Sequence, residues 1–160
     1  MIPRIGFGYD IHRLELGRPL WLACIEIPHP SGLLGHSDGD AAAHAIADAC
    51  LGAAGLGDIG ENFSDHDPQW KGISGARLLD ETVRRLRGRG FALRQVDLSI
   101  LAEAPRIGPH RGAMIEALAG ALGLPLPEVS VKARSNEGLD AVGRGEAIAA
   151  YAVVLLERHG

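Results

Sequence analysis

Three residues of metal-binding type stand out by their spacing. Asp10 and His12 are two residues apart in the segment 5–12, which alternates large residues with small or polar ones. That alternation predicts a half-buried strand, and on a strand the two side chains leave the same face. His44 lies in the alanine-rich segment 41–47, where an imidazole adds little packing volume. One carboxylate and two imidazoles leave a fourth position open, as in catalytic zinc sites. The alternative is a pair of strand-end surface residues and an ordinary helix histidine.

The segment Gly35-His36-Ser37-Asp38-Gly39-Asp40 leads into the helix predicted to carry His44. Its backbone N–H groups and the Ser37 hydroxyl lie at the positive end of that helix, where a phosphate can bind. The two aspartates would repel a bare phosphate, so the segment either caps the helix or meets an anion that arrives with a metal. Asp40 and Asp48, each four residues from His44, are expected to orient its ring.

Four further polar segments lie between predicted elements. Residues 58–68 are rich in acids and turn formers and are expected to form an exposed loop, functional or not. Residues 102–108 follow a strand, where backbone groups can hold a base or sugar. Arg134-Ser135-Asn136-Glu137 offers a cation, a hydroxyl and a carboxylate for phosphate and metal. For this segment and for residues 143–146 the alternative is a solvated turn.

The elements that must position these residues follow from periodicity and capping. Predicted helices cover residues 38–56, 74–89 and 109–122, and predicted strands cover residues 5–12, 20–27, 96–101, 129–133 and 146–157. The order is roughly βββααβαββ. Helices alternate with strands, but strands also occur in adjacent pairs. We therefore expect a single α+β domain over residues 1–160, a mixed sheet with helices on one face.

The last predicted strand is apolar on both faces. One face carries Ile148, Ala150, Ala152, Val154 and Leu156, and the other carries Ala147, Ala149, Tyr151, Val153 and Leu155. If helices cover one face, the second needs another cover. A symmetric oligomer that packs sheet against sheet is one answer, and a central strand in a fuller monomeric core is the other.

Composition excludes several classes of protein. The 160 residues are 46% hydrophobic and 22% charged, which is typical of a folded globular chain, and the net charge of −4 disfavours nucleic acid as a partner. No apolar run is long enough to span a membrane, so we expect a cytoplasmic protein without a membrane partner. Cys24 and Cys50 are expected to be buried thiols. Gly6-Phe7-Gly8 lacks the third glycine of a dinucleotide fingerprint, and no phosphate-binding P-loop or hydrolase elbow occurs.

Taken together, the motifs resemble one enzyme family, the 2-C-methyl-D-erythritol 2,4-cyclodiphosphate synthases. The likeness spans nearly the whole chain and rests on Gly8-Tyr9-Asp10-Ile11-His12, Gly32-Leu33-Leu34-Gly35-His36-Ser37-Asp38-Gly39-Asp40, His44, Gly57-Asp58-Ile59-Gly60 and Gly143-Arg144-Gly145-Glu146. It implies a homotrimer whose sheets face a central cavity and whose active sites lie between subunits. It also implies a lyase of the non-mevalonate isoprenoid pathway, which converts 4-diphosphocytidyl-2-C-methyl-D-erythritol 2-phosphate to the 2,4-cyclodiphosphate and CMP.

The resemblance further implies two divalent ions. Asp10, His12 and His44 would hold a zinc-like ion against the phosphate under attack. Glu137 would hold a magnesium or manganese ion that bridges the two diphosphate phosphates. A phosphate that attacks a diphosphate brings like charges together, and at ~4 Å each unit pair costs several kcal/mol in a partly dry site. Two dications offset that repulsion.

The remaining site residues are also implied by the resemblance. His36 and Ser135 match positions that steady the transition state. Residues 58–60 and 63–67 match the part that surrounds methylerythritol phosphate, and residues 102–108 the part that holds cytosine. The implied substrate-binding residues are Asp10, His12, His36, Ser37, Asp58, Ile59, Gly60, Phe63, Ser64, Asp65, His66, Asp67, Ala102, Glu103, Ala104, Pro105, Arg106, Ile107, Gly108, Arg134, Ser135, Asn136, Glu137, Ala141 and Arg144.

Three positions depart from patterns seen in the family. Arg106 stands where some members have lysine, and Ser135 where threonine is usual, which keeps the charge and the hydroxyl. Ala141 replaces an aromatic residue found in some members, so a stacking role does not carry over. Two other functions stay open: a trimeric protein that binds metal or isoprenoid phosphate at rings of Arg144 and Glu146 without turnover, and a metal-dependent phosphohydrolase.

Overall fold

The computed structural model describes residues 2–158, so Met1, His159 and Gly160 of the predicted domain lie outside the described residues. Its strands are β1 (Arg4–Leu16), β2 (Leu20–Leu22), β3 (Ile25–Ile27), β4 (Ser31–Leu33), β5 (Phe91–Leu101), β6 (Val129–Arg134) and β7 (Ala147–Arg158). Its helices are α1 (Ala41–Ala54), α2 (Ile59–Asn62), α3 (Gly75–Gly88), α4 (Arg111–Leu122) and α5 (Asp140–Gly143).

The main sheet is mixed, as the sequence predicts. Its order is β4-β1-β7-β5-β6, with β5 and β6 parallel and the other neighbours antiparallel. The helix α1 packs on β1 and β7, α3 packs on α1, and α4 packs on α3 and β6. The sheet therefore has its long helices on one face, which confirms the α+β prediction.

One predicted strand region is divided into two strands. The segment 20–27 is a hairpin of β2 and β3, which forms a separate two-stranded sheet. Ala23 and Cys24 turn the chain with positive φ values of 51° and 66°. The carboxylate of Asp40 accepts both of their backbone N–H groups, at 2.9 and 2.7 Å, which stabilises this turn. This contact comes from 16 or 17 residues away, so local alternation did not reveal it.

Two glycines allow α1 to rest directly on β1. A Cβ atom at Gly6 would collide with the carbonyl oxygen of Ala49, and one at Gly8 with that of Ala45. These glycines and the small residues of α1 bring the helix backbone against the strand. The buried core forms around this contact and includes Ile46, and it continues through α3, β5 and α4.

Helix ends depend on short polar side chains. Asp40 caps α1 by accepting the Ala43 N–H, and Ser74 caps α3 by accepting the Arg77 N–H. The helix α1 begins at Ala41 and not at residue 38, because residues 38–40 belong to the preceding loop. It ends at Ala54 and is capped by Gly55, whose φ of 70° suits glycine.

The second face of the main sheet is apolar and uncovered by the described chain. Phe7 is 64% exposed and Tyr9 is 46% exposed, and both contact the Tyr151 ring, with centroids 6.1 and 4.9 Å away. Val153 is also exposed. The idea of a fuller monomeric core around β7 is therefore wrong: β7 is central, but residues 2–158 cover only one of its faces along most of its length.

Two smaller expectations have clear outcomes. Cys50 is fully buried, and burial raises the pKa of its thiol to about 12. Cys24 is only half-buried, because it lies at the hairpin turn. None of the described helices has the length and apolar character that a membrane span requires.

Candidate functional site

The predicted metal ligands converge on the helix-covered face of the sheet. Asp10 and His12 follow Gly6 and Gly8 at even positions of β1, so all four residues point towards the helices. His44 lies in the first turns of α1, directly above this strand. One ligand atom from each of Asp10, His12 and His44 lies within 4.8 Å of the others. The strand and helix that the sequence predicts thus bring the three side chains together.

The spacing of these atoms suits a small divalent ion. Asp10 Oδ2 is 3.3 Å from His12 Nε2 and 3.1 Å from His44 Nδ1. Four ligands at bond lengths near 2.0 Å around a tetrahedral ion are separated by about 3.3 Å. The two imidazole rings meet edge to face with ring centroids 5.0 Å apart. The donor set and its spacing therefore fit a zinc-like ion.

The two histidines differ in their tendency to carry a proton. Burial lowers the pKa of His12 and outweighs the attraction of Asp10. Burial also acts to lower the pKa of His44, but the hydrogen bond and charge of Asp10 outweigh it, so the net shift is upward. His12 is thus available as a neutral ligand, whereas a metal ion must displace a proton from His44 over part of the pH range.

Ser37 orients the His44 ring. Its hydroxyl lies 3.0 Å from His44 Nε2 and also accepts the Gly39 N–H at 3.1 Å. With Nδ1 facing Asp10, a bond from Nε2–H to Ser37 keeps the Nδ1 lone pair free for metal. The prediction that Asp40 and Asp48 orient this ring is wrong: both carboxylates are engaged by backbone N–H groups, Asp48 by that of Ile59 at 3.0 Å.

The capping interpretation of residues 35–40 is confirmed. Asp38 accepts the Asp40 N–H at 3.0 Å and the Gly75 N–H at 2.8 Å, so it joins the starts of α1 and α3. Asp40 is completely buried and accepts three backbone N–H groups. These bonds hold the loop that carries His36 and Ser37 against the metal-binding group.

A cavity of about 670 Å³ opens in front of this group. The predicted site residues that line it are Asp10, His12, His36, Ser37, His44, Ile59, Gly60, Phe63, Ser64, Asp65 and His66. His36 Nε2 lies 3.8 Å from Asp65 Oδ2, and both side chains are largely exposed. The cavity therefore has acidic and imidazole groups at its floor and mouth and a mainly apolar wall.

Gly35 of the segment 35–40 also lines the cavity, and the sequence analysis missed four further lining residues: Trp70, Lys71, Ile73 and Leu78. Trp70 packs edge to face on Phe63, with ring centroids 5.0 Å apart. A tryptophan and a lysine in a loop otherwise rich in acids were the available signal. Asp58 and Asp67 line no part of the cavity and instead cap local turns, accepting the N–H groups of Glu61 and Gln69.

The other predicted site residues lie at the far edge of the sheet. Asp10 pairs with Ala150, Ala150 with Ile100, and Ile100 with Ala133, so Asp10 and Ala133 are three strands apart. At roughly 4.8 Å per strand, this separation is about 14 Å. Arg134 is the last residue of β6, and the segments beyond β5 and β6 carry Ala102, Glu103, Ala104, Pro105, Arg106, Ile107, Gly108, Ser135, Asn136 and Glu137. None of these residues lines the cavity.

Two hydrogen bonds organise this edge. Glu103 Oε1 accepts the Asn136 N–H at 2.7 Å, which joins the loops after β5 and β6. Ser135 Oγ accepts the Glu137 N–H at 3.3 Å, and Glu137 has a positive φ of 53°. The Glu137 side chain is exposed. Within one chain, the Glu137 carboxylate therefore lies apart from Asp10, His12 and His44.

Ala141 and Arg144 also lie outside the cavity, in and after the short helix α5. Ala141 is half-buried and packs against the cluster of Val142, Ala147 and Ala149. The exposed Arg144 binds the carboxylate of Glu146 at 2.9 Å.

Comparison with known proteins adds to this geometry. Residues 3–157 match the model of the YgbB family. The chain is 56% identical to the 2-C-methyl-D-erythritol 2,4-cyclodiphosphate synthase of Gloeobacter violaceus over 96% of this chain and 94% of that protein. A solved structure of such a synthase in its CDP-bound form has 46% identity and a TM-score of 0.90, and the match covers 96% of this chain and all of that one.

A second solved structure has a wider architecture. The bifunctional IspDF of Campylobacter jejuni matches 98% of this chain at a TM-score of 0.93 and 38% identity, but the match covers only 42% of that protein. The fold seen here thus also occurs as one part of a longer chain. On its family-model match and its sequence identities, the chain belongs to the YgbB family.

Proposed function

We propose that this chain is a cyclodiphosphate synthase, a phosphorus–oxygen lyase of the non-mevalonate isoprenoid pathway. The convergence of Asp10, His12 and His44 at the floor of the cavity carries the proposal. The 2-phosphate of 4-diphosphocytidyl-2-C-methyl-D-erythritol 2-phosphate forms a bond to the diphosphate phosphorus nearer the methylerythritol. The bond from that phosphorus to the CMP oxygen breaks, so that CMP leaves and a cyclic diphosphate remains.

Asp10, His12 and His44 would hold a zinc-like ion, which polarises a phosphate oxygen and neutralises its charge when bound. Asp10 contributes the anionic oxygen, and Ser37 keeps His44 in the orientation that presents Nδ1. The anionic 2-phosphate needs no general base near neutral pH. The chain's contribution is therefore to position the reacting groups and to stabilise charge.

His36 and Ser135 are proposed to steady the developing phosphoryl charge as hydrogen-bond donors. Both side chains are exposed and free to meet a ligand. We assign Ile59, Gly60, Phe63, Ser64, Asp65 and His66 to the methylerythritol phosphate, because they line the cavity that opens on the metal group. Asp58 and Asp67 would support binding of the methylerythritol phosphate indirectly, by stabilising the turns that they cap.

Glu137 is proposed to hold a magnesium or manganese ion together with the substrate phosphates. Magnesium is commonly bound by one or two carboxylates and substrate oxygens, and Glu137 offers one exposed carboxylate. Residues 102–108 would hold cytosine through backbone groups, and Arg134 and Arg144 would lie near phosphates. All of these residues belong to the edge beyond β5 and β6 or to its neighbourhood.

We further propose a homotrimer with active sites between subunits. Two observations support it: the apolar face formed by Phe7, Tyr9, Tyr151 and their neighbours is uncovered, and Glu137 lies far from the metal group of its own chain. A neighbouring subunit would cover this apolar face and bring its own Glu137 close to the metal group. Sedimentation-velocity analysis should give a species three times the 16.9 kDa mass of the chain.

The decisive experiment is phosphorus NMR of the purified protein with the diphosphocytidyl substrate and magnesium, before and after zinc is stripped. CMP is quantified in parallel. A cyclic diphosphate with stoichiometric CMP, lost on stripping and restored by zinc, is the expected result. A linear product that contains solvent oxygen would establish a phosphohydrolase instead, and unchanged substrate would favour a binding protein without turnover.

A further inference from the structure

We propose that Arg85 is a positioning residue that fixes the cavity wall and thereby sets affinity for the substrate. The wall is the segment 56–70, which contains α2, Phe63 and Trp70. Arg85 itself lines no part of the cavity that holds the metal group. The kinetic part of this inference rests on the proposed function, whereas the ordering of the wall does not.

A single guanidinium group contacts three residues of the wall. Arg85 donates from Nη1 to the backbone oxygen of Asn62 at 3.1 Å and to its side-chain Oδ1 at 2.9 Å. The same group lies 4.5 Å from the centre of the Phe63 ring and 5.5 Å from that of Trp70. It therefore combines charge-assisted hydrogen bonds with cation–π contacts.

Arg85 is held in turn by its own helix. Its Nε donates to Glu81 Oε1 at 3.0 Å, one turn earlier on α3. The adjoining face of α3 is buried through Leu79 and Leu86. Only 26% of the Arg85 side chain is exposed. The guanidinium thus connects a loop to a helix that is anchored in the core.

Trp70 is half-buried, and it packs against the edge of the hydrophobic core on one side only. On its outer side Trp70 lines a second, polar cavity of about 340 Å³, together with Arg77, Asp80 and Arg84. Arg85 also lines this cavity, so its guanidinium restrains the Trp70 ring on the side that the core does not cover. The metal ligands stand on β1 and α1 and do not depend on this wall.

The first test compares Arg85→Met with Arg84→Met. Arg84 shares the Glu81 partner, at 2.7 and 2.6 Å, but makes no hydrogen bond or ring contact with the wall among the described residues. We expect Arg85→Met to raise KM for CMP release about tenfold with kcat within about threefold, whereas Arg84→Met changes neither. Zinc content should be the same in both. Arg85→Lys should recover part of the loss, because it keeps the charge but not the planar fork.

The second test needs no turnover. The chain has two tryptophans, so a Trp21→Phe background reports Trp70 alone. Arg85→Met should increase acrylamide quenching of Trp70 in the substrate-free protein, and Arg84→Met should not. If Arg85→Met does not fold, Arg85→Lys carries the same measurements with smaller shifts.

The outcomes separate the two proposals. Equal quenching and equal KM in the Met variants would overturn the role of Arg85, as would loss of zinc in Arg85→Met alone. A wild-type protein that forms no CMP would overturn the proposed function, and the quenching result would still decide whether Arg85 orders the wall.

Discussion

Two groups of candidate site residues differ in how the fold holds them. Asp10, His12 and His44 stand on a central strand and on a helix packed against it, and their ligand atoms already lie within 4.8 Å. Ser135 and Glu137 lie in exposed loops beyond β6, where a few loop hydrogen bonds hold them. One group is organised by the core of its own chain, and the other is not.

This difference indicates which part of the site a single chain completes. A metal-binding group requires fixed distances, and burial between sheet and helix supplies them. The edge loops have no such frame within the described residues, so their geometry depends on what packs against them. The two groups are therefore expected to respond differently to mutation and to subunit association.

Removal of one metal ligand should have the largest effect. His44→Ala leaves Asp10 and His12 with an incomplete donor set, so zinc content should fall below a tenth of the wild-type value and CMP release by about 10³-fold or more. Metal analysis and steady-state assays measure both. His29→Asn is the matched control, because His29 lies outside the cavity. Full zinc content in His44→Ala would contradict the assignment.

Glu137→Gln should show that the edge loops and the metal ligands contribute separately to activity. Loss of this carboxylate is expected to lower CMP release about 100-fold while zinc content stays unchanged. Mixing this variant with His44→Ala after mild dissociation and reassembly should restore activity at roughly one quarter of the sites, if each site draws one group from each of two subunits. No recovery in mixed oligomers would argue that each chain forms its own complete site.

Gly8→Ala tests the frame under the metal group. Its Cβ atom would collide with the carbonyl oxygen of Ala45, so the helix must move away from the strand. We expect a loss of about 3 kcal/mol in the free energy of unfolding, together with weaker zinc binding. Denaturant unfolding of the zinc-free protein measures the change in the free energy of unfolding.

Gly52→Ala is the control for that substitution. Gly52 lies on the exposed side of α1, and a Cβ atom there meets no other atom within 4 Å. This change should raise helix stability by up to about 1 kcal/mol without altering zinc binding. Similar destabilisation by both substitutions would show that close packing at Gly8 is not the cause.

The smallest expected effect concerns the pH dependence of stability that arises from Glu81, the partner of Arg85. Hydrogen bonds from Arg84 and Arg85 lower the pKa of Glu81 to about 2 in the folded protein. Because this value is below that of the unfolded chain, the stabilising contribution is present above about pH 4.5 and is lost as pH falls towards 2. Glu81→Gln should therefore lower the melting temperature slightly at pH 6, and the difference from wild type should disappear near pH 2.

Local patterns in the sequence were sufficient for much of the fold. Alternation in residues 5–12 predicted the strand that aims Asp10 and His12 to one face, and helical spacing placed His44 on α1. The order of the long elements also followed from such patterns. Each of these signals acts within one turn or one strand, where a sequence reports geometry directly.

Contacts between distant segments were beyond the same reasoning. The hairpin at Cys24 depends on Asp40, and the ring of His44 is oriented by Ser37 and not by the acids of its own helix. The stacking of Arg85 on Phe63 and Trp70 joins segments at least 15 residues apart. Such pairings arise from tertiary packing, which no periodicity encodes.

The two glycines of β1 have a consequence for which ions the site accepts. Gly6 and Gly8 let the backbone of β1 touch the backbone of α1. This direct contact sets the distance between the strand that carries Asp10 and the helix that carries His44. Calcium prefers six to eight oxygen ligands, whereas this group presents two imidazole nitrogens and one carboxylate. The absence of two side chains therefore preserves a ligand spacing that suits a four-coordinate ion with bonds near 2.0 Å.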